Sequence, residues 1–287
     1  MTDMDFHRPA TLTEALEYKA RNPGAVPIAG GTDIMVELNF DVHRPAALLD
    51  LNPVTELAEW GNDGDRIRIG ACVPYSRVIN ELGTRLPGLA IAARTVGSPQ
   101  IRNRGTLGGN LGAASPAGDG HPPLVASGAH IELSSVRGVR RIPAPEFFTG
   151  VKRNVLEPDE LITAILVPAA RGPQQFAKIG TRNAMVIAVC AFALSLDPES
   201  RGVGTGIGSA APTPRRATSA ETFLSEALDW EKRSDIDETV SRRFGRLTAE
   251  AASPIDDVRG SAAYRRHALS VMARRTLGWA WKEYQCA

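Results

Sequence analysis

Cysteine is scarce in this chain. Its 287 residues include three, at Cys72, Cys190 and Cys286. They are far apart with no Cys-x-x-Cys pair, which excludes an iron–sulfur cluster or thiolate zinc site built by the chain itself. The five histidines include no i, i+4 pair, so a helix-borne metal site is not expected either. An odd number of isolated thiols points to a reducing compartment, the cytoplasm. Charge of one sign is also missing. A formal net charge of +1 gives no electrostatic footprint for nucleic acid or an anionic membrane. The basic groups at Arg137/Arg140/Arg141, Arg215/Arg216, Arg242/Arg243, Arg265/Arg266 and Arg274/Arg275 are scattered and read as solvated faces. No apolar run approaches the roughly 20 residues of a membrane span. The opening MTDMDFHRPA is polar, unlike a signal peptide. Neither G-x-x-x-x-G-K-[ST] nor G-x-S-x-G occurs, and no Ser/His/Asp set declares itself, which excludes a P-loop and a nucleophile elbow.

What is present suits a soluble globular chain, with 43% hydrophobic and 23% charged residues. Its length suggests two domains. Thr11-Leu12-Thr13-Glu14 has capping-box spacing and predicts a helix to about Arg21, stopped by Asn22-Pro23-Gly24. Val26–Ala29 reads as a strand running into a glycine turn, and Ile34–Leu38 as the start of a helix. Ala46–Leu51, Arg66–Cys72, His130–Ser134 and Leu161–Val167 read as strands, and Leu86–Val96 as a helix broken by Gly97-Ser98-Pro99. Ala169–Pro173 marks a domain boundary. Beyond it, Ala177–Ile179, Val186–Leu196 and Gly202–Ala210 predict a small antiparallel sheet, and the apolar stretch Met185–Leu196 a buried strand. In Ser261–Tyr284, the residues Tyr264, Ala268, Val271, Met272, Arg275 and Trp279 share one helical face and read as core. The order of elements predicts an α+β fold.

Two segments share a design: Ala29-Gly30-Gly31-Thr32-Asp33 and Thr106-Leu107-Gly108-Gly109-Asn110. Glycine permits positive φ and close approach of a ligand to the backbone. Successive N–H groups can then form a nest for an anion. Thr32, Thr106 and Asn110 add side-chain donors, a chemistry that suits a pyrophosphate. Either pair alone is more often a simple turn, but both are extended by small residues and the second runs on to Asp119. That acid reads equally as an acceptor for ribose hydroxyls or as a cap on the Gly118–Gly120 turn. Gly202–Gly208 looks like a dinucleotide fingerprint only superficially. Ile207 stands where the third glycine is needed and no helix follows, so the segment reads as a glycine-rich strand and bend.

Phe6-His7-Arg8-Pro9, AGGTD (Ala29–Asp33), QIRNRGTLGGN (Gln100–Asn110), ASPAGD (Ala114–Asp119) and LVASGA (Leu124–Ala129) resemble the FAD-binding medium subunit of molybdenum hydroxylases, the xanthine dehydrogenase and carbon monoxide dehydrogenase family. PDELITAILVP (Pro158–Pro168), AKIGTR (Ala177–Arg182), APTPRRA (Ala211–Ala217) and SAAYRRHAL (Ser261–Leu269) extend the resemblance over nearly the whole chain. It implies an α+β, two-lobed FAD-binding domain of the vanillyl-alcohol oxidase (PCMH) type. That domain would cover residues 1–172, with lobes of about 1–55 and 56–172. Residues 173–287 would form a carboxy-terminal domain with a three-stranded antiparallel sheet and a helical bundle.

The same resemblance implies the site. Ile28, Ala29, Gly30, Gly31, Thr32, Asp33 and Ile34 would form a first pyrophosphate loop, and Thr106, Leu107, Gly108, Gly109 and Asn110 a second whose backbone donors stay bare. Asp119 would lie at the sugar end. Ile162, Lys178 and Val96, which is aromatic in the family, would flank the flavin. Lys178 is the residue expected to tune it, since a cation beside N1–C2=O favours the reduced, anionic form. Thr32 stands where covalent flavoproteins of the wider superfamily carry histidine, so FAD is expected to be non-covalent.

The implied function is electron transfer inside a complex. A large subunit holds molybdopterin and a small subunit holds [2Fe–2S] clusters, as a dimer of heterotrimers. Electrons pass through FAD to NAD, oxygen or a quinone. A free-standing FAD-dependent oxidoreductase with its own small-molecule substrate is the alternative, and a scaffold or phosphate-ligand module a third reading.

Overall fold

A computed structural model describes residues 4–42 and 44–287. Three layers follow one another along the chain. The first is a parallel sheet of short strands, Asp5–His7, Ala47–Asp50 and Val26–Ile28, with Ala47–Asp50 in the centre. The helix Leu12–Arg21 covers it. Its cap is the expected Thr11, whose Oγ1 accepts from Glu14 N at 3.2 Å, but Glu14 reaches one residue further back, to Ala10 N at 2.7 Å.

The second layer is a five-stranded antiparallel sheet in the order Trp60–Asp63, Arg66–Gly70, Leu161–Pro168, His130–Ser135, Gly138–Pro143. Its central strand Leu161–Pro168 is buried on both faces except at its last residue, which accounts for a run LITAILV that is apolar but for Thr163, whose hydroxyl is hydrogen-bonded to Ser134. Ile67, Ile69, Ile131, Leu133, Ile165 and Val167 pack from the sheet against Val78, Leu82, Leu89, Leu107, Leu111 and Leu124 of the helices lying on it.

The third layer is the antiparallel sheet Gln174–Ile179, Cys190–Asp197, Gly202–Gly208, as the sequence led us to expect. Its two faces serve different partners with a period of two. Cys190, Phe192, Leu194 and Leu196 face a helical bundle of Thr218–Ala227, Glu238–Glu250 and Ala262–Cys286, while Ala191 and Ala193 face the amino-terminal domain. On the neighbouring strand Gly204 and Gly206 face the same way. A Cβ on Gly204 would lie 2.0 Å from Ala126 O, and one on Gly206 1.9 Å from Pro122 O. The helix His121–Ala126 therefore rests directly on the strand backbone, and Gly204, Gly206 and Gly208 serve the seam between domains.

Two expectations change. The strand within Met185–Leu196 begins only at Cys190; Met185 and Ile187 are exposed on the preceding loop. In the last helix the buried face runs through Arg265, Ala268, Leu269, Met272, Ala273, Thr276, Leu277, Ala280 and Trp281. Tyr264 and Trp279 lie outside it, with Trp279 51% exposed. Apolar residues recur on both sides of this helix, so periodicity alone chose the wrong tryptophan.

Candidate functional site

The strand Val26–Ile28 ends beside Asp50 and releases the first glycine segment, whose Ala29 carbonyl is held by Asn52 Nδ2 at 2.8 Å. Gly31 has φ +74°, which a side chain rarely tolerates. Gly30 has a different reason to be glycine. Its Cβ would fall 1.8 Å from Arg104 O, so the first segment lies flat on the chain entering the second. Among the described residues, no protein acceptor takes the backbone N–H groups of Gly30, Gly31, Thr32, Asp33 or Ile34. Thr32 Oγ1 stands 3.4 Å from where a Cβ on Gly105 would be, so both segments border one space. The short helix Ile34–Asn39 follows, with Asp33 O accepting from Val36 N and Glu37 N.

The second segment differs from expectation. Leu107–Ala113 is a helical turn capped by Thr106, whose Oγ1 accepts from Gly109 N at 2.9 Å. Gly108 N donates to Ala71 O and Asn110 N to Thr106 O, both at 3.0 Å. Of the donors expected to be bare here, those of Gly108, Gly109 and Asn110 are thus engaged, the last two by the threonine that caps the helix. The first segment offers the longer row of bare donors. The glycine pair also divides its work. A Cβ on Gly108 would sit 2.5 Å from Ala71 O, whereas one on exposed Gly109 would meet only Thr106 Oγ1, at 3.1 Å. Gly108 packs the helix onto its neighbour, and Gly109 keeps open the side away from it. Leu107 is core, and Ile162 lies under the same helix, its Cδ1 3.9 Å from a Cβ built on Gly112.

Asp119 is 8% exposed, so it is not a solvated loop acid. Lys178 reaches it from the third layer, Nζ to Oδ2 2.5 Å, and also donates to Thr95 O at 3.2 Å. The alternation of strand Gln174–Ile179 brings this about. Gln174, Phe176 and Lys178 share one face and run along the helix Pro87–Arg94: Gln174 Oε1 accepts from Gly88 N, Phe176 packs with Ala92, and Lys178 meets Thr95. Thr95 Oγ1 also donates to Asp119 Oδ2, at 3.2 Å. Burial raises the Asp119 carboxyl above its ordinary range, opposed by the Lys178 ammonium and the Thr95 hydroxyl. The direct hydrogen bond sets Asp119 and Lys178 together at one place, beside Val96, which follows Thr95 and is half-buried against the core.

Around this pair lie buried polar atoms with no partner: Asp119 Oδ1, Asn110 Oδ1, Tyr75 OH and His121 Nδ1. Asn110 Oδ1 and Tyr75 OH both close on Gly120, 3.0 and 3.1 Å from a Cβ built there. Buried polar groups are rarely left unsatisfied unless a ligand or water completes them. A dinucleotide, rich in hydroxyls and phosphate oxygens, suits the open N–H groups of the first segment and the orphaned acceptors of Asn110 and Asp119. Tyr75, Thr95 and His121 were not legible as site residues. Pro74-Tyr75 and Gly120-His121 carry no motif, and only the fold brings them together.

A family profile described as "FAD binding domain in molybdopterin dehydrogenase" matches residues 2–170. The chain belongs to this family. It is accordingly an oxidoreductase subunit whose cofactor is FAD. A second profile, "CO dehydrogenase flavoprotein C-terminal domain", matches residues 175–280. Among similar proteins, the xanthine dehydrogenase FAD-binding subunit of Escherichia coli O157:H7 is 32% identical, over 95% of this chain and 94% of its own. The nicotinate dehydrogenase FAD-subunit of Eubacterium barkeri is 35% identical over 71% of this chain and 72% of its own. A solved carbon monoxide dehydrogenase from Hydrogenophaga pseudoflava superposes with a TM-score of 0.89, at 28% identity, over 98% of both chains. Members of this FAD-subunit family are named as parts of larger dehydrogenases, and the architecture here is theirs. Among the described residues no helix is long and apolar enough to cross a membrane, and no three His, Cys, Asp or Glu side chains gather as a metal would need.

Proposed function

We propose that this chain holds FAD non-covalently between its two glycine segments and works as the medium, electron-transferring subunit of a cytoplasmic molybdenum hydroxylase. Its partners are a large molybdopterin-binding subunit and a small [2Fe–2S] subunit, assembled as a dimer of heterotrimers. The division of the chain falls near residue 172, with the first domain parted into lobes near residue 55. The observation that carries the reading is the row of unengaged N–H groups from Gly30 to Ile34, lying against the chain that enters the second glycine segment.

When bound, FAD supplies the redox chemistry, taking electrons from the iron–sulfur clusters and releasing them to an acceptor such as NAD, oxygen or a quinone. The chain's own residues bind and orient. The Gly30–Ile34 N–H groups take the pyrophosphate, with the Thr32 hydroxyl beside them. Thr106 fixes its helix so that Gly109 presents no side chain to the ligand, and Asn110 accepts from it. Ile162 and Val96 give apolar walls at the flavin end, and Lys178 supplies a fixed cation there, held in place by Asp119 and Thr95. Ile28, Ala29 and Leu107 anchor the two segments.

The test is purification of the chain alone and beside its co-expressed neighbours. Flavin absorbance bands, or uptake of added FAD, together with capture of a molybdopterin chain and a cysteine-rich chain, are expected. Failure to take up FAD overturns the reading, and steady turnover of a small molecule by the isolated chain favours the free-standing oxidoreductase.

A further inference from the structure

Arg265, the first arginine of YRRH in the last helix, is one of the basic residues that the sequence suggested were solvated. It is 4% exposed. Its guanidinium gathers three separate segments. Nη1 donates to Val189 O at 2.9 Å and to Ser209 O at 2.5 Å, and Nη2 to Asp257 Oδ1 at 2.5 Å. Asp257 is itself fixed by the Arg259 and Gly260 amides, which with Arg265 hold its carboxyl down at about 2. The fork is therefore pinned on one side by a charged loop and used on the other to hold two carbonyls.

The second carbonyl matters most. Ser209 is a non-glycine residue with φ +58°, a conformation that persists only when its surroundings impose it. Its groups are engaged on every side. The carbonyl accepts from Arg265, the hydroxyl donates to Ala188 O at 2.7 Å, and the amide donates to Pro116 O at 2.8 Å. Pro116 belongs to the other domain, in the turn Ser115–Gly118 that ends at Asp119. Val189, the first carbonyl, closes the loop that leaves the Lys178 strand, its amide donating to Ile179 O at 2.8 Å. One buried guanidinium thus reaches, through a single residue on each side, toward both members of the Asp119–Lys178 pair.

The geometry points to Arg265 as a positioning residue for the cofactor site, setting the Ser115–Asp119 turn against the Lys178 strand across the domain seam. This rests on the FAD reading above but does not follow from it, since Arg265 lies in the bundle and touches neither glycine segment. A guanidinium fork holds two carbonyls and a carboxylate at once; a lysine ammonium keeps the charge but not that planar spread of donors.

The test compares Arg265→Lys and Asp257→Asn with the parent. The readouts are FAD dissociation constant, melting temperature without cofactor, and amide hydrogen exchange by segment. Arg265→Lys is expected to weaken FAD about tenfold, and Asp257→Asn about threefold. Both should speed exchange in residues 114–121 of the other domain while the strands of the five-stranded sheet stay protected. Unchanged FAD affinity with exchange raised only in the bundle would mean a merely structural arginine and would overturn the inference. If Arg265→Lys does not fold, Asp257→Asn, on a surface loop, decides by the same readouts. If the parent takes up no FAD, the cofactor reading fails separately, and exchange in 114–121 still judges the tether.

Discussion

Lys178 Nζ and Asp119 Oδ2 meet at 2.5 Å across the seam between two domains, with side chains 7% and 8% exposed. Neither residue is near the other in sequence, and each reaches the seam for its own reason: strand alternation for the lysine, a tight turn before His121 for the aspartate. Breaking a buried pair from one side leaves the other charge stranded. Lys178→Met is expected to lower stability by about 3 kcal/mol, and Lys178→Met with Asp119→Leu by much less than the sum of the single losses. Urea unfolding of the four proteins in the cycle measures this, and additive losses would show that the pair is not coupled.

The two glycine segments should fail differently. Gly30→Ala drives a Cβ to within 1.8 Å of a main-chain oxygen, which has no flexible end to swing away. A loss of about 3 kcal/mol or more, with poor yield of folded protein, is expected. A Cβ at exposed Gly109 meets only the Thr106 hydroxyl, so the melting temperature of Gly109→Val without cofactor should stay near the parent's. Its FAD affinity should fall about tenfold or more. A Gly109→Val chain that holds FAD as tightly as the parent would remove the second segment from the site.

His121 gives a pH dependence. Burial lowers its imidazole to about 4, so it stays neutral in the folded chain where the unfolded chain protonates near the ordinary value of 6.5. The folded state then binds fewer protons between those values. Stability is full above about 6.5 and falls as pH drops toward 4, by about 3 kcal/mol in all, with no further loss below. Asp119, raised in the fold, has the opposite sign, so the parent alone shows a reduced slope. The difference between the parent and His121→Asn isolates the imidazole: denaturant midpoints from pH 7 to 4 should converge as the pH falls. Parallel curves would show that His121 is not responsible.

Gly206→Ala tests the seam. The added methyl group would lie 1.9 Å from Pro122 O, so the strand and the helix His121–Ala126 must part. Both domains keep their own cores. The expected outcome is a single unfolding transition in the parent and two separated transitions in the variant, seen by calorimetry.

The sequence showed clearly what is periodic or punctuated. The strands around Ile67–Ile69 and Leu161–Val167 and those of the last sheet were legible because burial on one or both faces writes a pattern into neighbouring residues, and Thr11 because a helix cap is set by local spacing. The site was legible as a pair of glycine segments, but not what each glycine does. Gly30 and Gly108 exist for backbone contacts with Arg104 and Ala71, which are distant in sequence. Arg265 was unreadable for a related reason. A buried arginine and a solvated one look alike until the carbonyls of Val189 and Ser209 converge on it.

The strand with glycine at 204 and 206 has a consequence for how this chain tolerates change. Main chain touches main chain there, so the contact has no rotamers to readjust and no methyl groups to trade. At those two points a substitution elsewhere in either core cannot be absorbed by repacking; only the side chains beside them, Phe176, Ala191 and Ala193 against Ala92 and Ala126, can adjust. The closest approach of the two domains is thus set by backbone, while the surfaces away from it are free to diverge toward different electron donors and acceptors.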